Sequence, residues 1–357
     1  MPASVDHYWN PAADANWGDA NVWAATDGGT ANLSAPLSSD NVFFTATNSH
    51  KCTISATANC LNLYFDNADN GGHGDYVGNF VGGAALNVYG SLIVSSGMTF
   101  GTGSTTLTFK STSTGNMVDT AGKSTYWTYV FNGVGGAWQL QNDLTSTNSL
   151  QLTNGSLDTN GKTVTVSFVQ NTGSGTTTLI LGNSLIVVSY FGGSGWRFSN
   201  TTGLTFNANN STIKVMAGAT FDGGGLTYNN FWFHTTSSIG VTITGSNTFN
   251  DFKDDGTAAH TIIFPNSTTI VATFSVNGTA GNLISLTRTG ASGNWTLSAP
   301  SGTISCNYIQ PSNGITTGGA TFNAYTANGC VDGGGNTGWN FSAPIVLSGG
   351  AFLFNMI

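Results

Sequence analysis

Leu150-Gln151-Leu152-Thr153-Asn154-Gly155-Ser156-Leu157-Asp158-Thr159-Asn160-Gly161-Lys162-Thr163-Val164-Thr165-Val166 is two short strands with a turn-rich segment between them. Leu150-Gln151-Leu152 and Val164-Thr165-Val166 alternate apolar and polar residues, the period of a half-buried strand. Asn, Gly, Ser and Asp fill the space between, as turns require. The same unit recurs in both directions. Before it stand Val42-Phe43-Phe44, Leu61-Asn62-Leu63-Tyr64-Phe65, Leu86-Asn87-Val88-Tyr89, Leu92-Ile93-Val94 and Leu107-Thr108-Phe109. After it stand Leu179-Ile180-Leu181, Ile213-Lys214-Val215, Val241-Thr242-Ile243, Ile262-Ile263-Phe264 and Leu283-Ile284-Ser285-Leu286. No segment sustains a helical period.

Composition points the same way. Charged residues are 7% of the 357, against about 25% in an ordinary soluble domain. There is no Glu, so all 16 acids are Asp, and 49 residues are Gly. Glu and Lys favour helices, whereas Asp, Asn, Gly, Ser and Thr favour turns. Low charge accompanies disorder only when hydrophobicity is also low. Here 39% of residues are apolar, with 22 Phe and 9 Trp, so the chain folds. Its polar surface is made of hydroxyls and amides. The net charge is −8 and the eight basic residues are scattered. That excludes the clustered cations of phosphate-dominated nucleic-acid binding.

Short, evenly spaced strands suit a sandwich, a barrel or a solenoid. Three features favour a parallel β-helix. The pattern persists without a composition break. Leu204-Thr205-Phe206 through Ile213-Lys214-Val215 echoes Val241-Thr242-Ile243 through Phe249-Asn250-Asp251-Phe252. Asn follows strands at Asn154, Asn207, Asn229 and Asn247, where it suits left-handed turns and stacked ladders. Stacking also gives each rung the neighbours that cover its apolar faces and open edges. The expected class is therefore all-β, a β-solenoid with an aromatic N-terminal cap and a short apolar C-terminal tail. Residues 1–45 hold Tyr8, Trp9, Trp17 and Trp23 and read as the cap. Residues 46–300 read as the body, and 301–344 as further rungs or a small β subdomain. Beyond residue 260 the spacing is less even, which leaves a sandwich open for that part. Residues 345–357 form the tail, and its Ile345, Val346, Leu347, Phe352, Leu353, Phe354 and Ile357 are the expected assembly contact.

Met1 to Asn10 has neither a basic nor an apolar signal region, so no Sec signal is predicted. No apolar run is long enough to span a bilayer. Cys52, Cys60, Cys306 and Cys330 form two pairs local in sequence. Disulfides Cys52–Cys60 and Cys306–Cys330 are one reading, and buried free thiols on neighbouring strands the other. No CxxC or His-Cys grouping suggests a metal.

The opening Tyr8-Trp9, Asn16-Trp17 and Trp23, followed by Ser38-Ser39-Asp40-Asn41-Val42-Phe43-Phe44, resembles the start of β-helical phage and bacterial surface proteins. The stretch Asn154 to Val164 resembles their repeated rung, as do Asn247-Thr248-Phe249-Asn250, Phe274 to Asn282 and Asp332 to Phe341. These motifs are structural. The resemblance implies a phage fibre, spike or capsid decoration on the virion surface, made in the host cytoplasm, with other virion proteins as partners; a polysaccharide-degrading tailspike and a bacterial surface adhesin or filament subunit are the alternatives. It also implies a homotrimer as the first assembly to expect. It carries no catalytic residues.

Three groups of side chains are candidates for chemistry. Asp251, Asp254 and Asp255 are the densest acids, with Lys253 and His260 close in sequence. Polysaccharide-cleaving β-helices use such acids as general acid and base or on Ca²⁺. Asp254-Asp255-Gly256 is equally an ordinary turn, and a non-enzymatic role is the expectation. Gly71-Gly72-His73-Gly74-Asp75 and Asp332-Gly333-Gly334-Gly335-Asn336 resemble Ca²⁺ loops, but each occurs once and reads as a flexible loop, so no cofactor is expected. His7, His50, His73, His234 and His260 are dispersed. Trp127, Trp196 and Trp232 are the candidates for stacking on a host-surface glycan, helped by neutral Asn, Ser and Thr. Core packing is the alternative for each.

Overall fold

The computed structural model describes residues 4–344, except 70, 174, 191, 217 and 219. The chain is all-β, a parallel β-solenoid of about 13 turns. One sheet holds 21 strands and a second holds 10, with sheets of four and three strands completing the faces. A rung in the middle of the rod shows the plan. Ser149–Asp158 runs along two faces, and Val164–Val166 along the third. Leu150 pairs with Tyr129 below and Val169 above, while Leu157 pairs with Trp138 below and Leu179 above. On the third face Val164 pairs with Ile186.

The core consists of columns. Ala58, Leu86, Leu107, Tyr129, Leu150, Val169, Trp196, Phe221 and Ile243 are successive partners on neighbouring strands. All nine are buried. Parallel pairing of equivalent positions puts like on like, so one inward position per rung becomes a continuous apolar stack. Burying each of the larger aliphatic or phenylalanine side chains is worth about 1.5–3 kcal/mol.

Corners are set by turn chemistry. At Asn160-Gly161 both residues have positive φ, 52° and 68°, and Lys162 N donates to Thr159 O at 2.9 Å. That is the Asn-Gly turn the sequence announces. Gly155, at φ 88°, leaves no room for a side chain, since a Cβ would stand 2.5 Å from the Gly133 carbonyl oxygen. Amide side chains link rungs, as in Asn154 Nδ2 to Asn132 Oδ1 at 2.8 Å and Asn62 Nδ2 to Asn41 Oδ1 at 2.9 Å.

At the N-terminal end Asp6–Trp9 lies antiparallel to Trp23–Ala24 and parallel to Asn41–Phe43. Trp9, Trp17 and Trp23 are buried, with ring centroids about 5 Å apart: 5.0 Å for Trp9–Trp23 and 4.9 Å for Trp17–Trp23. Their aromatic cluster continues through Phe44, Phe65 and Phe80 into the body. Parallel pairing does not stop at residue 260. His260–Phe264 pairs with Ile284–Arg288, and that strand with Ile309–Pro311. The solenoid therefore covers the stretch for which a sandwich stood open. Thr303–Ser305, Thr321–Asn323 and Trp339–Asn340 form the last parallel sheet. The tail of 345–357, with its seven assembly residues, lies outside the described residues.

Candidate functional site

The three acids do not converge. Past its bend at Asn250 the strand Thr248–Asp254 alternates outward and inward, and Asp254 falls in the inward column between Phe233 and Val276. Its carboxylate is buried and accepts from His260 Nε2 at 2.6 Å and from Gly256 N at 2.7 Å. His260 is buried too, and its Nδ1 lies 2.7 Å from Ala258 O. Burial opposes the imidazolium, but the hydrogen bond and charge of Asp254 outweigh it and raise the His260 pKa. The pair ties the corner between two faces.

Asp251 and Asp255 point outward. Asp251 accepts from Thr273 Oγ1, and Asp255 meets His234 Nδ1 at 2.7 Å and Lys253 Nζ at 3.5 Å. Burial works against the Asp255 carboxylate, yet His234 and Lys253 hold its pKa below the usual value. Asp251 is engaged by Thr273 on the following rung and Asp255 by His234 on the preceding one, so the two outward carboxylates turn to opposite neighbours. Paired glycosidase carboxylates instead face one shared bond. The geometry corrects the sequence reading of these acids as one cluster.

The tryptophan candidates need a larger correction. Trp127 and Trp196 are 0% exposed. Trp196 stands in the inward column, and its Nε1 donates to Tyr228 Oη at 3.0 Å. Trp127 packs on Phe100 at 4.7 Å. Neither has a face for a ligand. Trp232 is half-buried on the outer surface, between Lys214 and Lys253 on the adjacent rungs. Their ammonium groups lie 3.8 and 4.5 Å from its ring centroid, so cation–π contacts already use the ring.

The four cysteines are free and buried, which settles the two readings left open by spacing. Desolvation pushes the Cys306 thiol up to about 12, and Cys52, Cys60 and Cys330 are raised as well. These are inert core thiols. The glycine-rich loops hold themselves together. Asp75 accepts from Asn67 N at 2.7 Å, and Asp332 from Gly334 N and Asn336 Nδ2 at 2.9 and 2.6 Å. Among the described residues no three His, Cys, Asp or Glu side chains gather as metal ligands.

One concavity lies where residue-by-residue reading gave no sign of it. A cleft of about 630 Å³ crosses four successive rungs, over 206–209, 227–229, 248–250 and 270–272, with Pro300 at its edge. It arises from a bend repeated in register. Tyr228 pairs with Phe249 and Phe249 with Val271, while Asn230 pairs with Asp251 and Asp251 with Thr273. Asn229, Asn250 and Ala272 are left unpaired at the bend and face outward. No lining residue is charged. Thr227 and Thr248 form one wall with Ile270, which is 43% exposed. Neither Asn229 nor Asn250 spends its side-chain amide on a described residue, so both donors and acceptors are available. Successive rungs are about 4.8 Å apart, so the cleft runs about 14 Å along the rod, across the strands. A ligand in it meets side chains rather than strand edges, which excludes β-augmentation.

No protein-family model, curated protein sequence or solved structure matches the chain.

Proposed function

We propose that the chain is a non-enzymatic structural and adhesive surface protein, a rigid solenoid rod that attaches to an uncharged glycan through the four-rung cleft. The observation that carries this reading is the cleft itself, extended and charge-free, with the unengaged amides of Asn229 and Asn250 and the hydroxyls of Thr227 and Thr248 in its lining. A sugar chain offers neutral hydroxyls to such amides and apolar ring faces to the Phe206 and Ile270 surfaces. The resemblance of the cap and rungs to phage and bacterial surface proteins supports a virion setting, with the rod outward and one end docked. The homotrimer and the docking role of residues 345–357 belong to the same proposal.

The test is binding of purified protein to immobilised neutral and acidic polysaccharides. Neutral chains bind, and Asn229→Ala with Asn250→Ala weakens them by about tenfold, the net loss of one or two hydrogen bonds in all. Equal binding by the double variant sinks the cleft assignment. Release of reducing ends from bound polysaccharide sinks the non-enzymatic reading. Peptide mass spectrometry of gradient-banded particles checks the setting: the protein is present at fixed copy number, and its absence removes the virion.

A further inference from the structure

A second cleft, of about 530 Å³, opens at a corner of the N-terminal rungs and differs from the first in chemistry. Apart from Ser4 of the N-terminal segment, its lining comes from corners between consecutive strands: Ser38 and Ser39, Leu61, Tyr89, and Lys110 to Ser113. Backbone hydrogen bonds fix these corners one above another. Leu61 N donates to Asp40 O at 2.7 Å, Tyr89 N to Cys60 O at 2.9 Å, and Lys110 N to Val88 O at 2.7 Å. The side chains therefore project from a rigid frame.

Lys110 is the one cation of this lining. Its ammonium lies 6.0 Å from the centroid of the half-buried Tyr89 ring. Lys51 and Lys253 pair with Asp14 and Asp255. Among the described residues no carboxylate stands within ion-pair distance of Lys110. Around it are the hydroxyls of Ser38, Thr112 and Ser113. One unpaired positive charge, one aromatic face and several hydroxyls thus share a concave surface on a chain whose net charge is −8.

We propose that this second cleft binds a monoanionic sugar, a hexuronic-acid unit whose carboxylate meets Lys110 while its ring lies on Tyr89. A single ammonium matches a single carboxylate, whereas a phosphate dianion calls for a second cation. The ring contact uses the apolar face of the sugar, and the hydroxyls serve its remaining polar edge. The long-range field of an acidic protein repels anions, so recognition rests on this local pair. The site stands apart from the neutral cleft and does not depend on it.

The probes are a glucuronate oligosaccharide, its neutral glucose counterpart and inorganic phosphate, each titrated into the full chain with ligand-observed NMR. The uronate binds, and added salt weakens it. Lys110→Met, which keeps the apolar stem, weakens it by about tenfold, and Tyr89→Leu weakens it as well. Asn229→Ala with Asn250→Ala leaves uronate binding unchanged, which separates this site from the first cleft. Thermal melting of Lys110→Met matches that of the parent chain, since the side chain is at the surface. Undiminished uronate binding by Lys110→Met overturns the proposal. So does equal affinity for the neutral oligosaccharide in the chain that carries Asn229→Ala with Asn250→Ala, where the first cleft no longer contributes, or tighter binding of phosphate at the same residues.

Discussion

Asp254 and His260 show what one position of strand register does. Asp254-Asp255-Gly256 reads from sequence as a turn, and no local signal says which carboxylate faces inward. A shift of one residue exchanges the faces. Pairing with Phe233 and Val276 sends Asp254 into the core, where His260 meets it. The consequence is a pH dependence of stability. The folded His260 pKa lies above its ordinary value of 6.5. Folding therefore favours the protonated imidazole. The contribution is fully present below about pH 6.5 and is lost as pH rises through the folded value. Asp254→Asn removes it, so the drop in Tm is larger at about pH 6 than at about pH 9. An equal drop at both would mean the pair does not titrate between them. Trp196 is the apolar counterpart. Trp196→Ala opens a cavity in the inward column and removes the donor to the Tyr228 hydroxyl, which keeps only its own bond to Gly223 O, costing about 3–5 kcal/mol in denaturant unfolding. A loss under about 1 kcal/mol would contradict its place in the core. Sequence reading offered this residue as a ligand platform because a tryptophan beside Arg197 and Gly195 looks the same inward or outward.

Strands were largely legible and their bends were not. Alternation in Val164-Thr165-Val166, or in Val241-Thr242-Ile243, fixes both the strand and its inward face. The cleft depends on something alternation does not encode, the alignment of Asn229, Asn250 and Ala272 across rungs. Those positions become equivalent only once the register is known. Asn207 and Asn229 stand out as recurrent, yet their recurrence implies turns and stacked ladders, not a concave surface. Along the cleft the walls change character. Thr227 and Thr248 give way to Ile270, and Asn229 and Asn250 to Ala272. A ligand seated there presents hydroxyls to the earlier rungs and an apolar group, such as a deoxy-sugar methyl, to the later one. Ile270→Thr, at an exposed position, weakens a methyl-bearing oligosaccharide by about fourfold, close to one methyl group of burial, and leaves its hydroxylated counterpart unchanged. Equal effects on both ligands would show that Ile270 does not read the methyl.

Across the whole rod each turn pairs its strands only with those of its neighbours, so stability is largely a sum of rungs and interfaces, and the ends carry special risk. An uncapped end exposes a row of free backbone groups and the cross-section of the core. Parallel in-register stacking makes that end a template for another chain. The antiparallel strands Asp6–Trp9 and Trp23–Ala24 interrupt the parallel pattern at the N-terminal end, and Trp9, Trp17 and Trp23 close the core there. The Trp-rich composition of residues 1–45 made this end legible as a cap, because so many large aromatics in a turn-rich segment need a core to cover. What it did not show is that the cap keeps one strand in parallel register with Asn41–Phe43, so that the solenoid begins inside it. Removing residues 1–45 strips the cover from Phe65 and Phe80, whose rings continue the tryptophan cluster. The remaining rungs keep their own neighbours, so the truncated chain retains its β-sheet circular dichroism but associates end to end. Size-exclusion chromatography with light scattering reads this as mass growing with concentration relative to the full chain. A truncated chain with the same mass as its parent at every concentration would mean that the aromatic segment decorates the rod rather than closing it.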